Sequence, residues 1–279
     1  MPAPEREGDK NQRGRVLVIA GSLEVPGAAL LAGLGALRAG AGVLQVATCR
    51  SVAPHLGMAL PEALVVSCSE TSLGGIDPTS SSKLIELAHS ADAVLIGPGM
   101  MDNSAVAALV LALLQKLTGP RIVLDAAAFT EIRDDESVFA PHCDRIVVTP
   151  HSGEMAKFLG CGRDEVDANP RAAANRAARA VRGVVALKGA STYICGHQAE
   201  ELLSDHGTVG LGTSGSGDTL AGILVGLLAR GTTPMLATVW AVYLHAEAGH
   251  RLATRNGTFG LLARELPDEV PRIMSDLNK

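Results

Sequence analysis

The densest chemistry in this chain lies at 213–222 (TSGSGDTLAG), where small residues lead directly into an apolar stretch that stops near Gly231. Gly215 and Gly217 allow a tight backbone turn, which would set the amides of Gly215, Ser216 and Gly217 beside the positive end of the helix that follows. Such a turn binds anions, and a phosphate could sit there without a lysine. Asp218 falls in the first turn of that helix, close enough to a bound phosphate to take a proton from an attacking hydroxyl. It is the first candidate for a catalytic base. A plainer reading stays equally open on these residues, that Ser216 or Asp218 merely caps the helix. The overlapping 210–215 (GLGTSG) satisfies G-x-G-x-x-G. No clear strand leads straight into it, however, and no strand ending in an acid follows about 20 residues later, which disfavours a Rossmann dinucleotide fold. The G-x-x-x-x-G-K-[ST] phosphate loop is absent.

Two further places carry polar chemistry. His151 follows a short apolar run and a proline and is accompanied by Gly153 and Glu154. Contact with a ligand and a turn histidine bonded to backbone are both open to it. Lys188 opens 188–192 (KGAST), a setting that favours nucleotide contact over a solvated charge. Arg38 is expected to snorkel to the surface. His245 and His250 share a late helix with Trp240 and Tyr243, but their spacing of five does not put them on one face, and packing or surface positions are expected.

The elements that must position these groups are legible as short apolar runs ending in punctuation. They are 16–20 (VLVIA) before Gly21, 93–96 (AVLI) before Gly97, 121–124 (RIVL) before Asp125, 145–148 (RIVV) before Thr149 and 184–187 (VVAL) before Lys188. Continuous runs of this length are the pattern of strands buried on both faces. Helical stretches lie between them, at 26–39, 104–117, 171–182 and 218–229, so strands and helices alternate as in a doubly wound α/β fold. The Ser-rich patch 79–82 (TSSS) reads as a cap for a helix at 83–88. No linker divides the chain, which is expected to be a polar flexible tail at 1–14 and a single nucleotide-binding catalytic domain at 15–279. In open α/β sheets ligands bind beyond the carboxyl ends of the strands, so the polar punctuation points to one site built from many loops.

Composition supports this and excludes other classes. Hydrophobic residues make up 47% and aromatics 3%, so the core must be built from Ala, Val, Leu and Ile packed closely through 31 glycines. A net charge of −5 offers no field for a nucleic-acid backbone. The longest apolar runs, 105–114 and 220–229, are about half of the ~20 residues that span a membrane. Cys49, Cys68, Cys143, Cys161 and Cys195 form no C-x-x-C pair, suggesting neither disulfides nor a zinc site but a reducing compartment. The polar start is unlike an export signal, and the cytoplasm is the expected location.

The Gly-Ser-Gly-Asp turn at 215–218 resembles the signature of ribokinase-like kinases. The segments 21–31 (GSLEVPGAALL), 36–42 (ALRAGAG), 96–99 (IGPG), 149–154 (TPHSGE) and 188–192 (KGAST) narrow the resemblance to the ADP-dependent (S)-NAD(P)H-hydrate dehydratase family, in the family's order and at similar spacing. The resemblance implies a ribokinase-like three-layer sandwich with a mostly parallel central sheet and helices on both faces. It implies the repair of hydrated NADH and NADPH (NADHX and NADPHX), with ADP phosphorylating the ring hydroxyl and phosphate then leaving to give AMP. Carried over by position, Ala28, Gly99, His151 and Asp218 would contact the hydrated nucleotide. Lys188, Gly189, Ala190, Ser191, Thr192, Gly215, Ser216 and Gly217 would hold the adenine nucleotide. Glu154 would act indirectly through water. Mg²⁺ would screen the phosphates without a dedicated all-protein metal site, and a homo-oligomer such as a tetramer is implied. Two positions depart from the family pattern: Ala127 replaces a second carboxylate after Asp125, and Met101 replaces a glycine. An ATP-dependent small-molecule kinase, or a degenerate nucleotide-binding paralogue, is the competing reading.

Overall fold

The computed structural model describes residues 10, 12–132 and 136–277. The strands are β1 (Arg15–Ile19), β2 (Val43–Cys49), β3 (Leu64–Cys68), β4 (Ala93–Ile96), β5 (Arg121–Leu124), β6 (Ile146–Val148), β7 (Val184–Leu187), β8 (Thr192–Gly196) and β9 (Glu201–Ser204). The helices are α1 (Gly27–Arg38), α2 (Ala53–Ala59), α3 (Ser81–His89), α4 (Asn103–Leu114), α5 (Ala127–Thr130), α6 (Ser152–Leu159), α7 (Arg163–Ala168), α8 (Pro170–Val181), α9 (Ser216–Ala229), α10 (Pro234–Asn256) and α11 (Leu266–Asp276).

The strands form one sheet in the order β3-β2-β1-β4-β5-β6-β7-β8-β9. It is parallel from β3 to β7, with Val18 paired to both Val46 and Leu95, and ends in the antiparallel strands β8 and β9. The five apolar runs are β1, β4, β5, β6 and β7, the most buried part of the sheet: Leu17, Val18, Ile19, Val94, Leu95, Val123, Val147 and Val185 are wholly inaccessible. With right-handed crossovers the strand order puts helices on both faces, which is the expected three-layer sandwich.

The glycine-rich composition has a specific use where α1 meets α9. A Cβ on Gly35 would lie 2.7 Å from the Thr219 carbonyl oxygen, and one on Gly226 would lie 2.6 Å from that of Ala36. A Cβ on Gly222 would collide with the backbone of Ala32. Small residues thus let two helix backbones touch. Through this seam α1 holds α9 against β1, β4 and β5. The carboxyl end of α9 lies by the start of β1, since a Cβ on Gly14 would strike the Ala229 carbonyl. Its amino end therefore points at the carboxyl ends of the strands, where the loops gather.

One expectation fails. The serine patch does not cap α3: Ser80 makes no side-chain cap bond, and Ser81 and Ser82 lie inside the helix. Asp77 begins a short 3₁₀ turn at Pro78–Ser80 by accepting from the Thr79 amide, and the Ser80 hydroxyl accepts from the Ser69 amide. Asp is an equally good cap, and the 3₁₀ turn draws Ser80 inward. Most of the expected tail lies outside the described residues. At its end the Gly14 carbonyl accepts from the amides of Gly42 and Val43. Among the described residues no helix is long and apolar enough to cross a membrane.

Candidate active site

The loops at the carboxyl ends of β5, β6 and β7 converge with the start of α9 around a cavity of about 760 Å³. Asp125, the first residue after β5, is almost fully buried. Its Oδ1 accepts from the Thr149 hydroxyl at 2.7 Å and from Lys188 Nζ at 3.2 Å, tying together the ends of the three strands. The Lys188 amide donates to the Pro150 carbonyl at 2.8 Å, which fixes the β7 end against the β6 end through backbone alone.

At the amino end of α9, Gly215 sits at φ +86°. That conformation suits glycine, and a Cβ there would also strike Leu31. Of the amides expected to face an anion, that of Ser216 is partly diverted, donating to the Thr213 carbonyl at 3.3 Å. Gly215 and Gly217 make no such backbone bond among the described residues. Lys188 Nζ lies 3.2 Å from where a Gly217 Cβ would be, so glycine at 217 leaves room for the ammonium beside the turn.

Asp218, Asp125 and Glu154 surround this single lysine. Burial, with the Asp125 and Glu154 charges, pushes the Asp218 carboxyl up to about 7 despite the opposing pull of Lys188. Burial likewise raises Glu154. Burial works against the Lys188 charge, but Asp125, Glu154 and Asp218 outweigh it and keep the ammonium protonated. Among the described residues these carboxylates do not converge into a three-ligand metal cluster. Their hard oxygens border space for a phosphate and are of a type that suits Mg²⁺ bound largely through water and phosphate.

His151 is the N-cap of α6. Its Nδ1 accepts from the amides of Gly153 (3.0 Å) and Glu154 (3.3 Å), while Glu154 Oε2 accepts from the His151 amide at 2.8 Å. The backbone-bonded reading of this histidine is therefore correct for Nδ1, and the ring still lines the cavity with much of its surface exposed. With Nδ1 accepting, the neutral ring carries its proton on Nε2, which faces Glu154 Oε1 at 3.3 Å.

Lys188, Gly189, Ala190, Thr192, Gly215, Ser216, Gly217 and Asp218 all line the cavity, whereas Ser191 does not. Ala28 and Gly99 lie apart from it, packed on each other: a Cβ on Gly99 would sit 2.5 Å from that of Ala28. Ala28 is only 2% exposed and packs beside the end of β4. Met101 stays 41% exposed, and Ala127 opens α5. Arg38 reaches the surface and pairs with Asp268.

His245, whose spacing alone suggests only a packing or surface position, lies in the cavity wall directly under the turn at 215–217. Its Nε2 is 2.9 Å from Ser216 Oγ and 3.0 Å from the Ser216 carbonyl. Burial lowers its pKa to about 4, so it is neutral and Nε2 donates. The loop 204–209, with His206, forms another part of the wall. His206 bonds to Glu247 of α10 at 2.8 Å and stacks on Tyr243.

The NAD(P)H-hydrate dehydratase family model matches residues 16–272, nearly the whole chain. The chain belongs to that family. An ADP-dependent (S)-NAD(P)H-hydrate dehydratase of Xanthomonas campestris is 46% identical over 99% of this chain and 93% of its own length. The Bacillus subtilis protein of the same name is 31% identical over 98% of this chain and 93% of its own. The chain spans about half (52%) of the Moorella thermoacetica bifunctional NAD(P)H-hydrate repair enzyme, at 34% identity over 100% of this chain. Among solved structures, the B. subtilis ADP/ATP-dependent NAD(P)H-hydrate dehydratase co-crystallised with ATP and Mg²⁺ superposes with a TM-score of 0.82 at 30% identity, covering 99% of this chain and 94% of that one. A ribokinase-like protein of Enterococcus faecalis gives 0.85 at 26% identity, covering 98% and 91%. The dehydratase family thus accounts for the ribokinase-like sandwich and removes the Rossmann alternative.

Proposed function

We propose that this protein is an ADP-dependent (S)-NAD(P)H-hydrate dehydratase that returns NADHX and NADPHX to NADH and NADPH. The observation that carries the reading is Asp218, held at the amino end of α9 beside the anion turn with its pKa near 7, inside a cavity large enough for nucleotide phosphates. A carboxyl at that pKa can take a proton at neutral pH and has the driving force to do so.

ADP places its terminal phosphate against the amides of Gly215 and Gly217 at the positive end of α9, with Lys188 alongside. Lys188, Gly189, Ala190 and Thr192 hold the rest of the adenine nucleotide. Asp218 removes the proton from the ring hydroxyl as its oxygen attacks the terminal phosphorus, and AMP departs. The phosphorylated carbon then loses phosphate while a proton leaves its ring neighbour, restoring the double bond. Hydroxide leaves poorly and phosphate leaves well, which is why a nucleotide is consumed. Mg²⁺, when bound, neutralises the phosphate charge. The His151 ring, partly exposed in the cavity, meets the hydrated nucleotide, while Ala28 and Gly99 set the shape of the neighbouring strand ends.

Residues 15–279 are taken as one catalytic domain, supported by a single hydrophobic cluster running from Val16 to Ile273. A cytoplasmic location is supported by five free cysteines, and a homo-oligomer such as a tetramer by the family resemblance. The deciding experiment mixes the protein with hydrated NADH, Mg²⁺ and either ADP or ATP and follows the dihydronicotinamide absorbance. A nucleotide-dependent rise with release of phosphate is expected. Phosphorylated product without a rise would make it a kinase, and no turnover in a folded protein that binds ADP would make it a degenerate binder.

A further inference from the structure

At the end of the sheet opposite the cavity, Cys143 and Asp144 lie just before β6, and His197 lies just after β8. Because β8 runs antiparallel to β7, with Gly196 paired to Val184, His197 returns to the amino ends of the parallel strands. Cys143 Sγ stands 3.7 Å from His197 Nε2 and 3.7 Å from Asp144 Oδ2, and one ligand-type atom from each residue lies within 4.8 Å of the others.

We propose that Cys143, Asp144 and His197 form a surface binding site for a thiophilic divalent cation of the Zn²⁺ type. With Zn–S near 2.3 Å and Zn–N near 2.0–2.1 Å, the sulfur-to-nitrogen edge of a coordination tetrahedron is about 3.5 Å. The observed 3.7 Å needs only a small side-chain adjustment. A thiolate, an imidazole and a carboxylate are donor types that zinc takes, Cys143 releasing its proton to solvent as the metal binds, and the exposure of Cys143 and Asp144 leaves the fourth position to water.

The backbone holds the three residues in place. The Asp144 amide donates to the Arg182 carbonyl and the His197 amide to the Gly183 carbonyl, both at 3.1 Å, so the turn before β7 anchors both loops. Asp144 adopts φ +61°, a left-handed conformation that Asp enters more readily than most residues with a side chain. Gln198 Nε2 reaches Asp144 Oδ1 at 3.4 Å and steadies the carboxylate. Cys143 and His197 are 54 positions apart, so no ligand-spacing motif announces the cluster.

The test is titration of the reduced, chelator-treated full-length protein with Co²⁺, followed by Zn²⁺. The expected result is a near-ultraviolet thiolate-to-cobalt band that saturates at one equivalent and is displaced by Zn²⁺. The band disappears in Cys143→Ser. In His197→Ala the affinity drops by at least the roughly 10–100-fold that loss of an outer-shell partner costs. Cys143 is exposed and His197 only partly buried, so denaturation midpoints of both variants check that the fold is kept, and the four remaining cysteines of Cys143→Ser serve as an internal control. Absence of the band, its survival in Cys143→Ser, or an unchanged affinity in His197→Ala would each overturn the assignment.

Discussion

Asp218 concentrates the consequences of putting three carboxyls around one lysine. Asp218→Asn should lower turnover by about 10²–10⁴-fold, the usual contribution of general acid–base catalysis, while ADP binding survives. In the unmodified enzyme kcat/KM should rise with pH through about 7 as Asp218 loses its proton. Lys188→Met removes the one nearby charge that favours the carboxylate, so the same limb should move to higher pH and the KM for ADP should increase. Stability runs the other way. The folded-state pKa of Asp218 is raised, so the folded protein binds this proton more tightly than the unfolded chain, and stability falls as pH climbs from the ordinary Asp range near 4 towards 7. Asp218→Asn should therefore melt higher than the parent at pH 8 and almost equally at pH 4. A lower melting temperature at pH 8 would show that Asp218 is not a strained, function-serving acid.

At the level of elements, the α1–α9 seam is what sets the position of the turn that carries Asp218. Gly222→Ala puts a methyl into the Ala32 backbone, where no flexible side chain can yield, and should cost about 1–3 kcal/mol in urea unfolding. Because α9 carries both the anion turn and Asp218, the same substitution should raise the KM for ADP. His245→Ala separates local from global effects. It removes the bond that holds Ser216 beneath the turn, so nucleotide affinity should fall while the helix seam stays closed. Both contrasts are readable by measuring ADP binding and denaturation midpoints on the same preparations.

At the scale of the whole molecule, ligand binding and folding are linked. Mg²⁺ with ADP at about 100 times its Kd should stabilise the native state by roughly 2.7 kcal/mol, visible as a higher melting temperature that is reduced in Lys188→Met. Much of this architecture was legible in the linear chain. Continuous apolar runs read as strands buried on both faces, abundant small residues as close packing, and GSGD before an apolar helix as a tight turn at that helix's amino end. Those are local properties, since each depends on a few adjacent side chains and the backbone they permit. The placement of Asp125, Lys188 and Asp218 around one point came only with the sheet order, which brings together residues 93 positions apart. Tertiary packing also decided that His245 supports Ser216, that His151 spends Nδ1 on its own helix, that Ala28 and Gly99 face each other, and that Cys143 meets His197. A side chain's partner is set by strand order, crossover direction and the register of antiparallel β8, and none of these is a property of the segment in which that side chain resides.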